Sequence, residues 1–284
     1  MAEASGRWPD LDALPGVAEA VDSARASIAA VRRLPANRRG WSRTAAAAGI
    51  RAARASAMLD GGSAVVAIPT DAETDAGLDT GAGTAPGTAA DTGSAADPGS
   101  VDGIVTDAIL AGALRVSAAI GELASVWQRA PLQALARLHA LAAADMVAPD
   151  RLGRPRPGPG VAERLAVLAD AVSAEPWSGP VLVAVVHGEL LALQPFDTAN
   201  GVVARAAARL AMVATGLDPQ ALTVPEVGYL RAGQRYRTVA DGFATGAPAA
   251  VAEWITLVGT ALQAGAREAR SIATAATGGA AIER

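Results

Sequence analysis

The residues best placed to do chemistry lie between His187 and Arg205. An apolar helical pattern enters this stretch. A turn built from Pro195, Asp197, Thr198, Asn200 and Gly201 interrupts it, and a second helical pattern rich in Ala and Arg leaves it. Pro195 fixes φ and disfavours helix at Gln194. Asn200 and Gly201 tolerate backbone conformations that other residues resist. A helix beginning there points unpaired N–H groups into the loop, a geometry that attracts anions, phosphate included. Arg205 adds a cation. A purely structural reading stands beside this one: Phe196 anchors the core, Asn200 caps the helix, and Arg205 satisfies a buried carboxylate such as Asp60 or Glu189.

The stretch resembles the Fic (Fido) motif of protein adenylyltransferases, His-Pro-Phe-x-Asp/Glu-Gly-Asn-Gly-Arg-x-x-Arg. The spacing is intact, and Pro195, Phe196, Asn200, Gly201 and Arg205 match. Gln194 stands at the position of the catalytic His, Thr198 at that of the magnesium-binding acid, and Val202 at that of the first Arg. The resemblance implies an all-α, Fic-like helical bundle, with Asn200, Gly201, Arg205 and Phe196 as nucleotide-binding positions. Upstream, Ser56-Ala-Met-Leu-Asp60-Gly61 is similar to the Ser/Thr-x-x-x-Glu-Gly/Asn motif of an inhibitory helix in that family. There the Glu pairs with the second motif Arg and blocks a productive ATP pose. Ser56 and Asp60 are therefore the regulatory candidates, and Asp60 is one methylene shorter than Glu.

Family chemistry moves AMP from ATP to a Ser, Thr or Tyr hydroxyl of a target protein. It needs a base near neutral pH, which His supplies and an amide does not. It also needs a carboxylate for Mg²⁺. Gln194 and Thr198 meet neither need, and losing the general base alone removes ~10²–10⁴ in rate. ATP or another nucleotide is thus the implied ligand, with no bound magnesium and no turnover. The alternatives are a live nucleotidyl or phosphoryl transferase that uses Asp197, His187 or Glu189, and a helical protein-interaction module.

Composition narrows the elements that must hold this loop. Apolar residues are 51% of the chain but aromatics only 3%, so the core is built mainly from Ala, Val and Leu. That favours closely packed helices over a β-sandwich. The net charge of −4 gives no basic field for nucleic acid, and all 24 basic residues are Arg. There is no Cys, hence no disulfide framework and no thiolate zinc site. The longest apolar run, 181–193, is short for a bilayer and contains His187 and Glu189. The reading is a cytoplasmic protein off the membrane, with a protein as its expected partner.

The chain divides into a loose N-terminus (1–14), N-terminal helices with the inhibitory-helix-like segment (15–62), a disordered linker (63–101), the Fic-like domain (102–276) and a loose C-terminus (277–284). Periodicity predicts helices over 16–34, over 42–60 with Ser42 as cap, and over 104–128. Further helices are expected from Pro131, over 161–174, from Pro180, over 201–215, briefly over 225–237, and from Pro248. Residues 35–40 read as a turn and 64–68 as a short strand. His139, in a Leu-His pair, reads as a structural, hydrogen-bonded histidine. The 150–160 loop is rich in Pro, so the β-hairpin flap expected from the resemblance is reduced or absent. Its arginines, Arg151, Arg154 and Arg156, read as solvated.

Overall fold

The computed structural model describes residues 10–64, 107–174 and 177–282. Of the predicted strand over 64–68 and the linker over 63–101, the residues from 65 onward lie outside them. The described residues form eleven α-helices and one short 3-10 turn, with no strand among them. In chain order these are α1 (Val17–Arg32), α2 (Pro35–Arg39), α3 (Trp41–Leu59), α4 (Ala108–Arg129), α5 (Pro131–Ala142), α6 (Val161–Ala174), α7 (Gly179–Leu193), α8 (Asn200–Ala214), α9 (Pro225–Ala232), α10 (Gln234–Ala244) and α11 (Pro248–Ile282). The all-α expectation holds.

The bundle is organised around α7. It is apolar on every side, and every residue from Pro180 to Leu190 is buried. A helix without a polar face has to lie in the middle. Among its neighbours are α8, α6, α10 and α11. A second group, α3, α4, α5 and α8, packs beside it, while α11 runs along α1, α9 and α10. Because Ala supplies much of the core, backbones come close. A Cβ on Gly112 of α4 would sit 2.0 Å from the Ala142 carbonyl oxygen of α5. Helix α4 is long and apolar enough to cross a bilayer by length and composition, but it is packed against α3, α5 and α8.

Several local expectations are corrected. Residues 35–39 form helix α2 rather than a turn, with Pro35 at the first helical position, where its missing N–H costs nothing. Ser42 lies inside α3, which starts at Trp41 without a side-chain cap. The 225–237 stretch is two helices broken at Gly233. The N-terminus is anchored before residue 15: Leu11 is buried, and Asp12 Oδ2 accepts from the Ser178 N–H at 3.0 Å. At the other end α11 continues to Ile282, well into the stretch read as loose.

One carboxylate ties the two sides of the 65–106 segment together. Asp107 caps α4 by accepting from Leu110 N–H at 2.8 Å through Oδ1, and it accepts from Ser63 N–H at 2.9 Å through Oδ2. Those backbone donors at Leu110 and Ser63 hold its pKa below the ordinary value of 3.8.

Two outcomes follow from this packing. Gly112→Ala should lower unfolding stability by about 1–3 kcal/mol in urea titration, because neither backbone at the α4–α5 contact can yield freely. A fully native stability would show that the helices separate at little cost. Asp107 should contribute in full above its unfolded pKa and lose its contribution as pH falls through the lower folded value. Asp107→Asn should therefore flatten the acid limb of a stability–pH curve below about pH 4, and an unchanged limb would remove Asp107 from the acid response.

Candidate functional site

The loop between α7 and α8 is held by three devices. Gln194 and Ala199 lie in the left-handed region at φ 45° and φ 55°, ending one helix and opening the next. For an L-residue other than Gly this conformation costs roughly 1–2 kcal/mol, so the surroundings must enforce it. Asn200 does so from within. Its Oδ1 accepts from Phe196 N–H at 2.9 Å, and its Nδ2 donates to the Phe196 carbonyl at 2.8 Å. The Phe196 ring, 2% exposed, stacks on His139 at 4.1 Å with the planes 3° apart. The sequence reading gave Phe196 a nucleotide-binding role. Its ring is instead buried under the loop, because an apolar ring beside an aromatic neighbour gains more from the core than from water.

His139 is the structural histidine that was expected. Its Nδ1 accepts from Gly153 N–H at 2.9 Å. Burial pushes its pKa below the ordinary value, with the Asp197 carboxylate opposing.

The loop after α5 forms the third device, and it corrects the expectation of a solvated Arg156, while Arg151 and Arg154 stay exposed. Arg156 donates through Nε to the Gln194 carbonyl at 2.7 Å and through Nη2 to the Leu193 carbonyl at 3.1 Å. Its backbone N–H reaches the Pro195 carbonyl at 2.8 Å. A cation is thereby set on the C-terminal carbonyls of α7, where the helix dipole favours it. Arg151 pairs with Asp197, Nε to Oδ2 at 2.9 Å. A short strap pinned to the motif loop stands where the resemblance implied a flap.

Arg205 lies on the inner face of α8 and is 3% exposed. Its Nε donates to Ser56 Oγ at 2.8 Å and its Nη2 to the Ser56 carbonyl at 3.0 Å. Nη2 also lies 2.9 Å from Asp60 Oδ1. Burial works against the charge on Arg205. Asp60 and Tyr236 more than restore it, so its pKa stands above the ordinary arginine value. The shorter Asp60 side chain reaches because the second residue of α8 is Gly201, where a Cβ would lie 2.3 Å from Asp60 Oδ1. The carboxylate therefore sits over the first turn of α8, at the end of the helix dipole that favours an anion. Asp60 closes the C-terminus of α3, where that helix's own dipole disfavours it, so Arg205 and α8 have to compensate.

Beside this pair opens a cavity of about 340 Å³, lined by Asp60, Ile109, Ala142, Met146, Gln194, Thr198, Ala199, Asn200, Gly201 and Val202. Of these only Asp60 is ionisable. The other acid and base candidates face elsewhere. His187 is fully buried, with Tyr229, Tyr236 and Trp254 around its ring. Glu189 pairs with Arg164, and Asp197 with Arg151. Val202 is buried, although it also touches the cavity. Among the described residues no group of three or more His, Cys, Asp or Glu side chains could hold a metal. Sequence reasoning gave no role to Tyr236 or Arg156. Tyr236 carried one signal, being one of two Tyr in a chain with very few aromatics.

No family model and no curated protein matches this sequence. Among solved structures it is similar to a crystal structure of a Fic family protein from Desulfovibrio desulfuricans G20. The TM-score is 0.59 at 18% identity, covering 90% of this chain and 74% of that one. The turn between α7 and α8, the buried arginine behind it and the helices that carry them thus belong to a Fic-like fold.

Proposed function

We propose that this is a cytoplasmic Fic-fold pseudoenzyme, which binds a phosphate-bearing ligand such as ATP at the first turn of α8 and does not transfer AMP. The observation that carries this reading is the cavity lining. Beside the α8 N-terminus it offers an amide at Gln194, a hydroxyl at Thr198 and an apolar side chain at Val202, and its one ionisable group is already paired with Arg205. An amide cannot take a proton from an attacking hydroxyl near neutral pH. What remains is suited to holding an anion: backbone N–H groups at a helix start and a fixed guanidinium behind them. Asp60 sits over that first turn and pairs with Arg205, so an incoming phosphate competes with it. Ile109, Ala142 and Met146 would take the less polar part of the ligand. The reading of a live enzyme built on His187, Glu189 or Asp197 loses support from their positions, since none lines the cavity.

Calorimetric titration with ATP and ADP, with and without Mg²⁺, tests this. Asp60→Ala should bind at least about tenfold tighter than the wild type, matching the ~1.4 kcal/mol of a single displaced charge contact. Arg205→Ala should abolish binding, and Mg²⁺ should change little. Absence of binding in both the wild type and Asp60→Ala would overturn the ligand reading. Transfer of label from ATP to any protein by either form would overturn the claim of no transfer.

A further inference from the structure

Arg205 is also met from the core side. Tyr236, 5% exposed near the start of α10, interacts through its hydroxyl with the Arg205 guanidinium. The same hydroxyl lies 2.9 Å from His187 Nε2. The His187 ring is boxed in. Tyr229 lies edge-on at 4.8 Å and Trp254 edge-on at 5.1 Å, and Trp254 is itself fixed by its Nε1 donating to the Ala184 carbonyl at 2.8 Å. Burial and then the Arg205 charge hold the His187 pKa well below its ordinary value. The imidazole is neutral at pH 7.

Donor counting fixes the direction of this chain. Arginine only donates, so the Tyr236 oxygen accepts from it. The Tyr236 O–H is then free to donate to His187 Nε2, which requires the proton of the neutral ring to be on Nδ1. One buried group is left unmatched, Nδ1–H, and Nδ1 indeed has no hydrogen-bond partner among the described residues. The opposite tautomer would leave two unmatched, the Tyr236 O–H and the Nδ1 lone pair, and each unmatched buried group carries a desolvation cost. His139 is set the other way, because its Nδ1 accepts from Gly153.

We propose that Tyr236 and His187 are positioning residues: a hydrogen-bond chain running from Arg205 through Tyr236 to Nε2 of an Nδ1–H His187 aims the guanidinium at the first turn of α8. The effect on ligand rests on the anion-binding reading above, whereas the tautomer does not.

The chain contains only two histidines, so the test can be read directly by ¹⁵N NMR of histidine-labelled protein at pH 7.5. One ring should appear as the Nε2–H form, His139, and the other as Nδ1–H, His187, each assigned by its His→Gln variant. Tyr236→Phe should shift the His187 signals away from Nδ1–H and leave those of His139 in place. In the Asp60→Ala background, Tyr236→Phe should weaken ATP binding about tenfold, the range of one hydrogen bond to a charged group. An Nε2–H tautomer at His187 in the wild type overturns the chain, and so does unchanged ATP affinity in the Tyr236→Phe variant. If Asp60→Ala binds no ATP, the anion-binding reading falls, and the tautomer result alone decides whether the chain exists.

Discussion

Arg205 is a guanidinium with almost no access to water, and a buried charge of that kind must be matched bond for bond. The helices around it are arranged accordingly. Helix α3 brings its last turn against α8 so that Ser56 can offer both a hydroxyl and a carbonyl, and Asp60 a carboxylate. Helix α10 brings Tyr236 to the same guanidinium. Removing one partner of such a set typically costs about 3–5 kcal/mol, because the other is left charged and dry. The same constraint explains Gly201 in the first turn of α8: any side chain there would push Asp60 off the arginine.

The loop preceding Arg205 is held from both faces. Asn200 uses its amide to close the turn on Phe196, and Phe196 is seated on His139. Arg156 closes the outer side by capping the end of α7. These contacts keep Gln194 and Ala199 in left-handed backbone that they would not adopt in a free peptide. A loop constrained in this way, with the N-terminus of α8 behind it, has the fixed geometry that the proposed anion site requires.

How much of this was legible in the sequence differs from residue to residue. The α7–α8 turn was readable because Pro195, Asn200 and Gly201 carry their conformational preferences locally. Helix α7 was readable from its long, mostly apolar run, and the all-α class from Ala abundance with few aromatics. The helical state of 35–39 was missed because Pro35 and the polar residues after it suit a turn as well as a first helical turn, and only packing against α3 and α11 separates the two. Arg156 of the 150–160 loop was read as solvated because nothing in its spacing reveals that the loop meets the end of α7.

The sequence by itself therefore determined the periodic elements, the turn chemistry and which functional groups are absent from the motif, since these are properties of single residues and near neighbours. Tertiary structure decided what each remaining polar group is for. Asp60 and Arg205 are 145 positions apart in the chain, and His187 and Tyr236 are 49 apart. Only the packing of α3, α7, α8 and α10 brings them within hydrogen-bonding distance. Arg205, His187 and Tyr236 are buried, where a hydrogen bond or an ion pair is worth more than in water, so proximity created by the fold, and not residue type alone, sets their roles.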